Sequence, residues 1–77
     1  MLAAGVCVKI PDNRIGRVRE YDNTSRRWKV RVKRKTSNSH MFMYFNKKDL
    51  KLVDCPNGWM SVNGYNNYVR KTLAKMR

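Results

Sequence analysis

The segment from Arg26 to Lys35 alternates cations with apolar residues, and no other feature of the chain constrains the fold as strongly. Trp28, Val30 and Val32 fall on one face of an extended strand, because successive side chains of a strand point to opposite faces. The opposite face carries four cations, which are Arg27, Lys29, Arg31 and Lys33. The alternation predicts a β-strand with one face in a hydrophobic core and the other turned toward an anionic partner.

The charge balance of the whole chain agrees with this segment. Lys and Arg number 18 against 5 Asp and Glu, which gives a formal net charge of +13 in 77 residues. Such an excess opposes compaction through self-repulsion, and a bound polyanion would offset it. Blocks of like charge are often disordered arms. Here the cations are interleaved with Trp and Val and the chain is 42% hydrophobic, which favours a folded basic surface over a disordered tail.

The length predicts one small domain over residues 1–77. No apolar run approaches the roughly 20 residues that span a bilayer. The segment from Met1 to Val8 is a poor signal peptide, because it lacks a positive n-region and Lys9 and Pro11 follow closely. We therefore expect a cytoplasmic or otherwise intracellular protein with no membrane partner and with reduced cysteines.

Hydropathy patterns predict five strands and one helix. The predicted strands are 6–10, 15–21, 27–34, 40–45 and 50–53, with a 3₁₀ turn near 46–49. The last segment changes to a helical period, in a stripe of Tyr65, Tyr68, Val69, Thr72, Leu73 and Met76. This stripe predicts a helix over about 61–76 with Ser61 or Asn63 as its cap. We expect the helix to pack on an open end or edge of the strands; a docking helix that awaits a partner is the alternative.

Four short patterns carry a resemblance to a known class of fold. They are Val6-x-Val8-x-Ile10-Pro11, Ile15-Gly16-x-Val18, Trp28-x-Val30-x-Val32 and Asp49-Leu50-x-Leu52-Val53. Together they resemble SH3-like small β-barrels, in the style of the KOW and Tudor-like branches, over residues 5–54. The resemblance implies a five-stranded barrel in which Gly16 is the turn glycine before the second strand. It also implies binding, often of RNA, DNA, ribosomes or modified tails. Residues 55–77 lie outside it, as a connecting loop and a C-terminal helix.

Catalytic and metal-binding groups are sparse in the sequence. His40 is the single histidine, and the acidic residues show no spacing that suggests paired acid–base work. Cys7, Cys55 and His40 have spacings unlike zinc sites. We therefore expect no enzymatic activity, no cofactor and no metal. In an SH3-like barrel the first and last strands are neighbours, so Cys7 and Cys55 should lie close together. We expect two apolar thiols there, with a disulfide as the alternative.

Aromatic residues divide between a core role and a stacking role. Trp28 shares its face with Val30 and Val32 and is predicted to be in the core. Tyr21 shares a predicted face with Arg17 and Arg19, and this makes it the best candidate for an exposed ring on which bases stack. In the fourth strand, one face carries His40, Phe42 and Tyr44, and the other carries Met41, Met43 and Phe45. One of these two faces must be covered by the helix or be exposed for binding.

The sequence as a whole predicts a non-catalytic module that binds DNA or RNA through the basic hairpin of strands two and three. The predicted binding residues are Arg17, Arg19, Tyr21, Arg26, Arg27, Lys29, Arg31, Lys33, Arg34, Lys35, Arg70 and Lys71. One alternative is an accessory or inhibitor protein that binds an acidic protein surface through the Met- and Phe-rich strand or the helix. Another is a component of ribonucleoprotein assembly. The choice between DNA and RNA, and between single and double strands, stays open.

Overall fold

A computed structural model describes residues 2–75 of the chain, with the side chains of residues 2–72. The elements are β1 (Cys7–Lys9), β2 (Ile15–Asp22), β3 (Arg27–Lys33), β4 (His40–Phe45), a 3₁₀ turn (Lys47–Asp49), β5 (Lys51–Val53) and α1 (Val62–Lys75). The mainly β fold class, with five strands and a C-terminal helix, is confirmed. Met76 of the predicted helical stripe lies outside the described residues.

All five strands belong to one antiparallel sheet with the order β4-β3-β2-β1-β5. The sheet is open, and β4 and β5 form its two edges. Three hairpins connect β1 to β4 along the chain, and β5 returns to pair with β1. The resemblance to SH3-like barrels stays a prediction. Within residues 2–75, no helix has the length and apolar character needed to cross a membrane.

One face of the sheet, the core face, carries the fully buried Val8, Val18 and Val30. Trp28 packs against this cluster, as predicted from its face. Gly16 lies inside β2, so the expectation that it is a turn glycine is wrong. A Cβ atom at Gly16 would lie only 2.6 Å from Cγ1 of Val30. A glycine therefore fits here because β3 packs closely over it, and not because a turn needs conformational freedom.

A β-bulge interrupts β2 at Arg19. The register pairs Val18 with Val30 but then Glu20 with Lys29, so Arg19 is the extra residue of its strand. Every later residue of β2 changes face as a result. Tyr21 therefore lies opposite Trp28, with the two ring centroids 5.2 Å apart in an edge-on arrangement. The predicted placement of Tyr21 beside Arg17 and Arg19 is wrong.

The turn between β2 and β3 is held by the side chain of Asp22. Its Oδ2 accepts hydrogen bonds from the backbone N–H of Ser25 at 3.0 Å and from the Ser25 hydroxyl at 2.6 Å. These bonds from Ser25 lower the pKa of Asp22. Arg26 closes the turn with a φ of 59°, in the left-handed region. The hairpin is thus fixed at its tip by local polar contacts.

A disulfide joins Cys7 of β1 to Cys55, which follows β5. The expectation that these residues lie close together is confirmed, because β1 and β5 pair in the sheet. The expectation of two reduced thiols is wrong in this structure. Cys7 lies on the face opposite the core, here called the outer face. The disulfide therefore holds the segment after β5 against that face.

The N-terminal part of α1 packs over the outer face. Ser61 caps the helix, since its Oγ accepts a hydrogen bond from the backbone N–H of Gly64 at 3.0 Å. Tyr65 is buried, and the Nδ2 atom of Asn66 donates to the carbonyl of Ala4 at 3.1 Å. Packing of the helix is thus confirmed. It covers part of a sheet face, however, rather than an open end or edge.

Candidate nucleic-acid interface

The outer face contains one row of directly opposed residues that crosses four strands. Arg17 of β2 is the Cα partner of Cys7 on one side and of Arg31 on the other, and Arg31 is the partner of Phe42 on β4. We call the Cys7 and Arg17 side the covered half, because the disulfide and α1 lie over it. The Arg31 and Phe42 side is the open half.

Arg17 is the centre of the covered half and is only 6% exposed. Its Nε donates to the carbonyl of Gly5 at 3.0 Å, and its Nη2 donates to the carbonyl of Met60. The same Nη2 lies 3.2 Å from Sγ of Cys55. Arg17 therefore connects the N-terminal segment, the disulfide and the start of α1.

Aromatic rings surround the Arg17 guanidinium instead of carboxylates. Its Cζ atom lies 4.6 Å from the ring centroid of Tyr65 and 6.0 Å from that of Trp59. Burial lowers the pKa of Arg17, because the charged form loses hydration. Arginine remains charged under any ordinary condition despite such a shift. The covered half is thus a structural site in which Nε and Nη2 of Arg17 are engaged by the protein itself.

The open half combines partly exposed cations with exposed rings. Phe42 is 46% exposed and Tyr44 is 43% exposed, and both lie on the outer face of β4. Nζ of Lys29 lies 4.4 Å from the ring centroid of Phe42, and Tyr44 is the cross-strand partner of Lys29. The face of β4 that carries Phe42 and Tyr44 is therefore exposed. Exposure of one face was one of the two outcomes that the sequence left open.

Three adjoining cavities extend along the outer face beside α1 and past the end of β3. Their volumes are about 560, 410 and 680 Å³. The first and the second share Arg31, His40 and Tyr68 in their walls, and the second and the third share Lys33 and Trp59. We call this continuous path the cationic groove. Its predicted cations are Arg19, Lys29, Arg31, Lys33, Arg34 and Lys35.

Carboxylates near the groove are few among the described residues. Asp12 bonds to Arg14 at 2.7 Å and lies 3.8 Å from Nζ of Lys35. The hydrogen bonds from Arg14 lower the pKa of Asp12. Glu20 is the cross-strand partner of Lys29. The groove therefore keeps a strong excess of positive charge.

His40 lies at the junction of the first two cavities. Its Nδ1 is 3.5 Å from Nη2 of Arg31, and Lys33 is its cross-strand partner. Desolvation lowers the pKa of His40, and the positive charges of Arg31 and Lys33 lower it further. The imidazole is therefore neutral at pH 7 and would gain a proton more easily beside an anion.

The structure brings together seven of the twelve predicted binding residues and separates the others. The six predicted cations named above line the groove. Arg17 also lines the second cavity, but it is buried. The remaining predicted residues are outside it: Tyr21, Arg26, Arg27, Arg70 and Lys71. Arg26 and Arg27 are exposed at the hairpin tip, and Arg70 and Lys71 are exposed on α1.

The predicted list of binding residues omitted four exposed rings of the outer face, the connecting loop and α1: Phe42, Tyr44, Trp59 and Tyr68. Alternation in β4 already places Phe42 and Tyr44 on one face, but only the register with β3 puts that face beside Lys29. Trp59 lies in the connecting loop, where no periodicity indicates an orientation. A sequence signal for the bulge did exist, because Val18 and Tyr21 are three residues apart and break the period of two.

No protein-family model matches this chain, and neither a curated protein nor a solved structure matches it. The chemistry and geometry of the groove are therefore the basis on which a function can be proposed.

Proposed function

We propose that this protein binds nucleic acid through the cationic groove and catalyses no reaction. The observation that carries the proposal is the mixture of groups on one open surface. The Lys29 ammonium lies against the exposed Phe42 ring, and Arg31 and Lys33 follow along the same strand face. Cations that contact phosphates, placed beside rings that contact bases, are the two components of nucleic-acid-binding surfaces.

The spacing of the cations supports the proposal. Lys29, Arg31 and Lys33 alternate along one face of β3, so neighbouring members are about 6.6–7 Å apart, from twice the rise per residue. Phosphates along one nucleic-acid strand repeat on a similar scale. Arginine adds bidentate contacts to phosphate that lysine does not make. Most of the affinity should come from the release of counterions.

Fluorescence anisotropy with labelled DNA and RNA, measured over a range of salt concentrations, tests the proposal. If all six cations of the groove contact phosphates, the slope of log K against log salt should be about −4 on single strands and about −5 on duplex DNA. Arg31→Glu should weaken binding at least tenfold, because Arg31 lines two of the three cavities. Lys47→Glu is the matched control, since Lys47 is an exposed cation of the 3₁₀ turn.

An equal loss of affinity in Arg31→Glu and Lys47→Glu would contradict the groove as the binding site. Weak binding to every nucleic acid that vanishes with moderate salt would contradict the function itself. That outcome would favour the alternative in which the basic face binds an acidic protein surface, with or without a role in ribonucleoprotein assembly. A pull-down at the same salt concentration would then be the appropriate measurement.

The cellular location stays a prediction. A disulfide between Cys7 and Cys55 is typical of an oxidising compartment, whereas the sequence predicts an intracellular protein. Thiol labelling of the protein as isolated from its own cells distinguishes the two. Labelling of both cysteines would support the intracellular prediction. Protein in which neither cysteine is labelled would contradict a reducing compartment.

A further inference from the structure

We infer that the cationic groove takes an unpaired nucleic-acid strand, and that one base of this strand enters the middle cavity between the sheet and α1. The inference rests on the proposed function and narrows its ligand. It follows from the rings of the groove, which the binding of phosphates alone does not explain.

Each of the three cavities has an exposed ring in its wall. Phe42 and Tyr68 line the first cavity, Tyr68 and Trp59 line the second, and Trp59 also lines the third. Trp59 is 43% exposed and Tyr68 is 49% exposed. Bases within a duplex stack on one another and leave no free face for such rings. Unpaired bases have both faces free, and stacking on a protein ring tolerates any base.

The middle cavity has the size and the charge that a nucleotide requires. Its volume of about 410 Å³ falls within the usual range for small-molecule sites, which is about 300–1,000 Å³. Trp59 and Tyr68 provide apolar walls for a base, and Arg31 and Lys33 lie in the same lining, where a flanking phosphate would be. Arg17, which also lines the cavity, is engaged with backbone carbonyls and keeps the wall in place.

The occupant that fits these features is an unpaired nucleotide rather than an acidic peptide. A carboxylate would find partners in Arg31 and Lys33 but would leave the exposed rings without a contact. A nucleotide combines an aromatic base with a phosphate, and the cavity offers both kinds of partner. The shared walls of the three cavities let neighbouring nucleotides occupy the first and third cavities in succession.

The test compares three kinds of labelled probe of about 12 nucleotides, a length within the range that single-strand modules cover. The probes are a single strand in DNA and RNA form, a hairpin duplex of each, and an abasic strand that has the same phosphates without bases. We expect the single strand to bind at least tenfold more tightly than the hairpin and the abasic strand. A preference over the abasic strand isolates the contribution of the bases, because the charge is unchanged.

Trp59→Ala should reduce affinity for the single strand by about 5-fold to 150-fold, the range that corresponds to the loss of one stacked base. Affinity for the abasic strand should change less than twofold. Trp59→Phe should retain the preference, because it keeps a ring. Tyr21→Ala is the matched control and should leave affinity unchanged, since Tyr21 is an equally exposed ring, at 43%, that lies outside the groove.

The outcomes separate this inference from the function on which it rests. Tight binding that is equal for the single strand, the hairpin and the abasic strand would overturn the inference and leave nucleic-acid binding in place. An unchanged preference in Trp59→Ala, with a far-ultraviolet spectrum like that of the parent protein, would overturn the placement of the base. No binding to any probe at low salt would overturn the proposed function as well.

Discussion

The covered half and the open half of the outer face contain the same residue type in opposed positions, and yet the two arginines differ in almost every other respect. Arg17 and Arg31 are Cα partners on adjacent strands. Arg17 is buried under the segment that the Cys7–Cys55 disulfide holds in place, whereas Arg31 is partly exposed and lines two cavities. What covers a residue, and not its strand position or its charge, therefore decides whether the fold engages it or leaves it available for a ligand.

The opposition of Arg17 and Arg31 also has an energetic consequence. Like charges directly opposite each other destabilise a pair of strands. The sheet tolerates this pair because Arg17 has two carbonyl acceptors and the face of Tyr65. Arg31 has no such set of protein partners among the described side chains, apart from a contact with His40. A bound phosphate would supply what Arg31 lacks.

Loss of the disulfide should have the largest effect on the covered half. Cys7 and Cys55 are 48 residues apart in sequence, and closure of a loop of that size corresponds to about 4 kcal/mol of unfolding free energy by the chain-entropy relation. We expect the Cys7→Ser/Cys55→Ser double variant to lose about 2–4 kcal/mol in urea denaturation. Amide exchange should accelerate more in α1 than in β3, because the bond holds only the covered half.

The control for this prediction is the parent protein with and without reductant, which should reproduce the difference without any substitution. If reduced and oxidised protein unfold at the same urea concentration, the disulfide does not hold the covered half. If loss of the disulfide accelerates amide exchange in β3 by as large a factor as in α1, the two halves form one cooperative unit and the comparison between them fails.

Arg17→Ala should have the next largest effect. The substitution leaves the carbonyl of Gly5, in a buried hydrogen bond, and the carbonyl of Met60, in a partly buried one, without their donors. An unsatisfied buried group costs about 1–3 kcal/mol, and we expect a loss in that range in urea denaturation. Arg17→Lys should recover little of it, because an ammonium does not present the same planar fork.

Arg31→Ala is the matched comparison for Arg17→Ala. Its cost should stay within about 0.5 kcal/mol, as for most surface substitutions, and the relief of like-charge repulsion favours a small gain. Its nucleic-acid affinity should nevertheless fall. Equal stability losses in Arg17→Ala and Arg31→Ala would show that the two halves do not differ in the way described.

The sequence predicted the sheet well because alternation is a local signal. The cations and valines of β3 are on opposite faces as predicted, and so are the two sets of β4 side chains. A local signal also left the helix cap between Ser61 and Asn63, and the structure selects Ser61. The proximity of Cys7 to Cys55 was not a local signal; it was implied by the resemblance to SH3-like barrels, in which the first and last strands are neighbours.

Features that depend on contacts between distant segments could not be predicted from local sequence patterns. The burial of Arg17 requires the loop at Met60 and the helix at Tyr65, which are more than 40 residues away along the chain. The groove requires the register between β3 and β4 and the position of Trp59. The error at Tyr21 has a different cause, because the spacing of Val18 and Tyr21 did signal a break in the period of two. The prediction assumed strict alternation along β2, and the bulge at Arg19 therefore put Tyr21 on the other face.

The smallest expected effect concerns His40 and applies to the open half alone. Desolvation and the charges of Arg31 and Lys33 hold the pKa of His40 below its usual value of about 6.5, so the free protein carries a neutral imidazole at pH 7. A phosphate bound in the groove would favour the imidazolium and raise the pKa of His40. Binding should therefore take up protons, and affinity should rise as the pH falls below about 7.

The gain in affinity is limited to about tenfold for each pKa unit that the bound phosphate restores. In anisotropy titrations between pH 7.5 and 5.5, we expect the affinity of the parent protein to rise about threefold as the pH falls. The affinity of His40→Gln should not rise.

The stability of the free protein has the opposite dependence on pH. The lowered pKa of His40 means that the unfolded chain binds the proton more readily, so unfolding is favoured as the pH falls below about 6.5. Affinity that rises while stability falls over the same pH range, in the parent protein but not in His40→Gln, would identify His40 as the group that takes up the proton on binding.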